Sequence, residues 1–449
     1  MKRARPAKLC YYLLLACFPA SMVLVVWLAP PWLEWLRDNW PRLHEFLYRR
    51  IYPMMPSWLQ YFAVQTLAAG VAICGTLYLV GGRERPRWPR WNWRHAFPAL
   101  VGAYAVWAGL TYYWSAWPYA TRAYFIRELP FYFLCVAAMY LFARPERWVS
   151  AAKVFAVSAF VEAVLQGAII VYFARENGWT LRKAFIEKTV FFSNPNFGCP
   201  LMLTAGFIAL AFLILTVRAC PPKQAGRRSS PRPGATVAAL VVALFAYAFI
   251  FLAANALAAY VAALAAGCAY ALCLLPIKRK AAIVYCALAV AVVAVIAVMA
   301  SETLWTRTLR WAMSPRRTTH LRVVDWAACA ELYVRRPLHG WGMGTFPATH
   351  ARFQVTLARM LPFVAGLRTT HPHNEFARVA SEQGLVGLLL YLGILGYAFA
   401  ASYRALRNQP LRMRLVGYAL WGGALTFVVQ ASFGKAPMNW SFSANYWLL

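Results

Sequence analysis

The residues best suited to chemistry in this chain stand together near its C-terminal end, as His371-Pro372-His373-Asn374-Glu375. A neutral imidazole can take a proton from a hydroxyl group as that hydroxyl attacks. The surrounding stretch, residues 301–383, holds five of the seven histidines (His320, His339, His350, His371 and His373) and eleven arginines. The planar fork of arginine suits phosphate oxygens. One base beside several cations is a sufficient kit for group transfer with an anionic leaving group. A His-x-His pair also raises the question of metal. Glu375 is the one adjacent carboxylate, and nothing nearby completes a zinc set, so no metal is expected. Two interfacial histidines bonded to backbone are the plain structural alternative.

Upstream, the stretch from His320 to Phe346 repeats Arg322, Trp326, Cys329 and Tyr333 at helical spacing. A short helix is predicted there, ended by Pro337 and Gly340. Gly340-Trp341-Gly342-Met343-Gly344 then predicts a glycine turn. It is not a dinucleotide fingerprint, because no strand precedes it and the spacing is wrong. Two readings stay open: a tight turn at a membrane surface, or close backbone approach to a ligand at Gly342 and Gly344. Arg316, Arg317, Arg335 and Arg336 are further candidate cations. Cys329 is expected to be packed rather than reactive.

The elements that must position these groups are membrane helices. The 449 residues are 62% hydrophobic and 13% charged, far from the balance of soluble domains. Apolar runs of about 17–25 residues recur along the chain, each long enough to cross a bilayer as a helix. They are continuous rather than alternating, which argues against strands. Spans are expected at about 10–30, 58–80, 96–114, 126–143, 149–173, 197–217, 281–300, 384–402 and 415–433, with an aromatic, amphipathic interfacial segment over 31–57. Residues 235–276 are too long for one crossing and predict a hairpin turning near Ala254-Asn255. Residues 441–449 read as the start of a twelfth span that stops short, and whether the natural chain extends past Leu449 stays open.

With the N-terminus inside, the basic segments MKRARPAK, GGRERPRWPRWNWR, ARPER, the Pro/Arg loop near 220–234, PIKRK and SYRALRNQPLRMR all fall inside. This is what the positive-inside rule asks. The His-rich stretch is then outside. The formal charge of +32 is largely explained by those loops, so nucleic acid is not implied. The excess in the outside stretch points to an anionic ligand such as a diphosphate or an acidic lipid. The ten cysteines show neither a disulfide framework nor a zinc spacing. Glu162 is a rare charge within a span.

Three stretches resemble the O-antigen ligase and polymerase superfamily of membrane glycosyltransferases. The first is FFSNPNFGCPLML, where Asn194, Pro195 and Asn196 match. The second runs from Arg322 through Pro337 to Gly340-Trp-Gly342-Met-Gly344-Thr-Phe346. The third and most specific is His373-Asn374, nine residues, then Gly384-Leu-Val-Gly387. The resemblance implies His373 as catalytic base and Arg322 in handling a lipid diphosphate. His371, Asn374, Arg316, Arg317, Asn194, Asn196, Gly342 and Gly344 are the expected substrate-binding residues. Where the family usually places a Ser-Arg pair, near residue 255, this chain has Asn255-Ala256. Arg122, Arg127 or Arg182 is the expected substitute, or the donor differs.

The expectation is therefore an all-α integral membrane protein of about twelve helices, a single transmembrane domain over 1–449 with a periplasmic catalytic loop at 301–383, of GT-C-like build. The implied donor is an undecaprenyl-diphosphate-linked glycan, with no metal, cofactor or nucleotide sugar. The implied acceptor is lipid A-core or another glycan, in a bacterial inner membrane with the site facing the periplasm. Polymerase and transfer to protein are alternatives, as are a transporter or flippase and a membrane scaffold with a dead site.

Overall fold

The computed structural model describes residues 96–141, 145–187, 195–219, 233–254, 256–274, 318–350 and 371–433. Expectations for the spans at 10–30, 58–80 and 281–300, the interfacial segment 31–57 and the partial span 441–449 lie outside the described residues. So do those for Asn194, Asn255, Arg316 and Arg317. Among the described residues the chain is helical without strands.

Among the described residues the principal helices are α1 Ala96–Leu110, α2 Pro118–Leu141, α3 Pro145–Glu176, α4 Leu181–Glu187, α5 Pro195–Ala219, α6 Pro233–Ala254, α7 Leu257–Leu274, α8 Thr318–Arg335, α9 Glu375–Arg407 and α10 Leu411–Ala431. A 3-10 turn at Thr111–Trp114 follows α1. Four helices begin on proline (α2, α3, α5, α6). Proline suits the first helical position, since its missing N–H would be unpaired there anyway. Trp148–Glu176, Gly198–Arg218, Gly234–Ala254 and Glu375–Arg407 are long and apolar enough to cross a membrane. These include the spans expected near 149–173 and 197–217. Two helices also fill the long apolar stretch 235–276, α6 ending at Ala254 and α7 beginning at Leu257.

Helix α5 is the hub, packed by α3, α6, α7 and α10. Its contacts use small residues. Ala205, Ala209 and Ala211 are buried on α5, and Ala262 and Ala266 on α7. A methyl group on Gly423 of α10 would come within 2.4 Å of Thr204. Such residues let helix backbones approach closely where lipid provides no hydrophobic drive. Val106, Val157, Val161, Phe245, Leu252 and Leu264 are exposed, as lipid-facing side chains are.

Two helices start earlier than hydropathy alone predicts. Helix α2 begins at Pro118 rather than near 126, and α9 at Glu375 rather than 384. In α9 the early turns are polar but folded, because Arg378 pairs with Glu375 and Glu382. Helix α9 is in fact two segments. Gly384 interrupts it with φ 68 and ψ −168, so a nine-residue helix, 375–383, precedes the apolar one. A side chain at Gly384 would meet the Leu338 backbone at 2.3 Å. Gly384→Ala is therefore expected to destabilise the purified protein by at least about 2 kcal/mol. Gly396→Ala, further along α9 with nothing within 4 Å of an added methyl, should leave the melting temperature unchanged or raised. Parallel thermal unfolding of the two variants checks this.

Candidate functional site

The break at Gly384 frees backbone groups that must find partners. Residues 337–342 supply most of them. Leu385 N–H donates to the Pro337 carbonyl at 2.7 Å, and Val386 N–H to Leu338 at 3.4 Å. Trp341 N–H donates to the Ser381 carbonyl at 3.2 Å, and Gly342 N–H to that of Glu382 at 2.8 Å. The Trp107 indole of α1 donates to the Gln383 carbonyl at 3.0 Å.

The glycine turn closes over this joint. Gly340, Gly342 and Gly344 all have positive φ (68, 107 and 75). A methyl on Gly340 would strike the Glu382 backbone, one on Gly342 Ser115 and Thr121, and one on Gly344 the Tyr124 ring. The close approach anticipated at this turn is thus made to the chain itself. Met343 N–H donates to Thr111 Oγ1 at 3.1 Å, and Ala116 N–H to the Trp341 carbonyl at 2.9 Å. Gly342 and Gly344 seat the turn against the α1–α2 corner.

Beneath it lies a buried ionic network. Arg378 bridges Glu375 and Glu382, with Nε 3.0 Å from Glu375 Oε2 and Nη1 2.6 Å from Glu382 Oε2. The three side chains are at most 3% exposed. Glu382 also accepts from Gly344 N–H and Phe346 N–H, each at 2.9 Å. One carboxylate therefore ties the turn to α9 while its charge is balanced by Arg378. Truncating one member of such a pair leaves an uncompensated buried charge. Glu382→Ala should cost about 3–5 kcal/mol and release the 340–344 turn. The checks are the melting temperature and new protease cleavage within the turn.

At the start of α9, Asn374 caps the helix, its side chain accepting from Ala377 N–H at 3.0 Å. His373 just before it has φ 53, the left-handed region, and is the one such non-glycine residue among those described. Residues held there cost energy and cluster at working sites. The rings of His371 and His373 lie 4.2 Å apart, centre to centre, and both residues are half-buried. His373 thus stands at the positive end of the α9 dipole.

Helix α8 runs in the same direction as α9. Cys329 contacts Ser381 at 3.7 Å, and further along both chains Pro337 meets Leu385. Seven residues before that first contact stand Arg322 and Asn374, so Arg322 is carried toward the His373 end. Arg322 is half-buried, and burial holds its guanidinium below the ordinary arginine range. Asp325, on the next face, bonds His350 Nε2 at 3.3 Å deep in the loop. Burial pushes the Cys329 thiol up, so it is packed and unreactive.

The remaining candidates are placed as follows. Asn196 stands in the first turn of α5, its side chain outside the described residues. Arg335 pairs with Glu331 at 2.8 Å. Arg336 donates to the Trp114 carbonyl at 3.2 Å and stacks on Trp341. Arg127 lies 3.7 Å from Glu128 and over Tyr124. Arg122 and Arg182 are exposed. Among the described residues no three His, Cys, Asp or Glu side chains gather as a metal set. The sequence reading passed over Arg378, Glu382, Asp325 and His350 as partners. The spacing of Glu375, Arg378 and Glu382 does mark one helix face, but only once the helix is known to start at 375.

No curated protein matches the chain. Residues 241–392 match the model of a family described as O-antigen ligase. That stretch runs from α6 through α7, α8, the glycine turn and the His-Asn cap into α9, and it is similar to the O-antigen ligase family.

Proposed function

We propose that this chain is an inverting glycosyltransferase that moves a glycan from undecaprenyl diphosphate onto lipid A-core. The observation that supports this most is His373, held in the left-handed conformation at the N-terminus of α9 with His371 against it. The acceptor hydroxyl gives its proton to the His373 imidazole as its oxygen attacks the anomeric carbon. The bond from that carbon to the diphosphate oxygen breaks, and undecaprenyl diphosphate leaves with the electron pair. Arg322 holds the diphosphate and offsets its charge, the kind of electrostatic help that grows as the bond breaks. Such a donor already has a good leaving group, so no general acid, metal or nucleotide sugar is needed.

His371 and Asn374 shape the base from either side. Gly342 and Gly344 act by seating the turn rather than by touching the glycan. Arg316 and Arg317 add positive charge ahead of α8. Asn194 and Asn196 belong to the Asn-Pro-Asn segment and are further binding residues in this reading. In this reading 1–449 is one domain of about twelve spans, with residues 301–383 on the periplasmic face of the inner membrane.

The test is glycan transfer in a ligase-deficient Gram-negative strain at matched expression. Wild type should load lipid A-core. His373→Ala should lower the rate by about 10²–10⁴-fold, and Arg322→Ala should weaken transfer strongly while leaving protein levels unchanged. Lengthened lipid-linked chains without loading of core would make the protein a polymerase instead. Unchanged transfer by His373→Ala would sink the mechanism.

A further inference from the structure

Helix α8 encloses a second donor one turn beyond Arg322. Both Arg322 Nε and the Trp326 indole nitrogen are shut off from solvent, and neither has a hydrogen-bond partner among the described residues. Residues four apart on a helix are neighbours on one face, with Cβ atoms about 5–6 Å apart. Neither group can accept a hydrogen bond. Burying such a donor without an acceptor costs about 1–3 kcal/mol, so two on one stripe are an expensive arrangement for a helix to keep.

The surroundings narrow what could answer them. Cys329, next on the same stripe, touches Ser381 of α9, so the stripe faces α9 and the two donors lie toward its His373 end. Asp325 beside them bonds His350 at 3.3 Å and bonds neither donor. The acceptor must be rich in oxygen, and anionic beside a guanidinium. A phosphate group meets both conditions.

We propose that Trp326 is a binding residue for the donor lipid's diphosphate, its indole N–H and Arg322 Nε–H taking oxygens of one diphosphate group. This rests on the reading above that Arg322 handles a lipid diphosphate. The indole adds direction without charge. It does not titrate, and a ring side chain loses little freedom on binding. Arg322 supplies attraction, and Trp326 orients the group so that the anomeric carbon faces His373. The effect belongs to binding of the donor more than to the proton transfer.

The experiment uses the full-length protein purified in detergent, with undecaprenyl diphosphate as probe and undecaprenol as the control for the tail. Trp326→Phe keeps a ring and removes the N–H. It should weaken undecaprenyl diphosphate binding by roughly five- to tenfold, with undecaprenol binding and the melting temperature unchanged. Arg322→Lys should weaken it too. The double variant should lose less than the product of the two single effects, because residues sharing one group are coupled. If Trp326→Phe binds the diphosphate as wild type does while Arg322→Lys does not, the role of Trp326 is overturned and the reading of Arg322 stands. If Trp326→Phe lowers undecaprenol binding and the melting temperature together, Trp326 is structural and the proposal fails. If wild type binds undecaprenyl diphosphate no better than undecaprenol, the donor reading falls and this proposal with it.

Discussion

A helix that breaks near the edge of an apolar span must have each freed backbone group satisfied from within the protein. Water is scarce there, and an unpaired amide costs as much as a lost hydrogen bond. That constraint, applied at Gly384, organises much of what surrounds it. The carbonyls of Ser381, Glu382 and Gln383 and the N–H groups of Leu385 and Val386 are all taken up, four by residues 337–342 and one by Trp107. Chain segments forty to forty-eight residues apart are thereby locked in register. Glycines at 340 and 384 follow directly, because each sits where the other segment's backbone leaves no room for a Cβ.

The ionic network works at the same joint by a different means. Arg378 alone would be an unbalanced buried charge, as would either glutamate. Arg378 offsets part of the charge of the two carboxylates, and Glu382 spends its remaining acceptor capacity on the N–H groups of Gly344 and Phe346. The loop helix and the first part of α9 therefore behave as one body. The spans behind them are held differently, by small residues in close helix contacts around α5. Polar bonding positions the residues with chemistry, and close packing carries the platform beneath them.

What could be read in the sequence divides along the same line. The apolar runs at α3, α5 and the α6–α7 hairpin were legible because continuous hydrophobicity needs no partner to be recognised. The helix through Arg322, Trp326 and Cys329 was legible from its spacing. The early start of α9 was not, because hydropathy counts Glu375, Arg378 and Glu382 as polar without knowing that they will pair. The glycine turn could be seen but not its contacts. Ser115, Thr121 and Tyr124 lie more than two hundred residues away, and no local pattern joins them to Gly342 or Gly344. The left-handed backbone at His373 was hidden for the opposite reason. Glycine or asparagine would have announced it, whereas a histidine there is held by its surroundings.

The nine residues between the Asn374 cap and Gly384 have a metric meaning. At roughly 1.5 Å per residue they form a strut of about 14 Å, rigid between two fixed ends. One end is pinned by the joint where the apolar helix begins, and the other carries the imidazole. Its length sets the height of that imidazole above the joint, and its turn sets the imidazole's bearing. Adding or removing a single residue would shift the height by only about 1.5 Å but swing the bearing by roughly 100°. Spacing in this segment is thus held more tightly by angle than by distance. Side chains along the strut's outer face can vary with little consequence, while its residue count cannot.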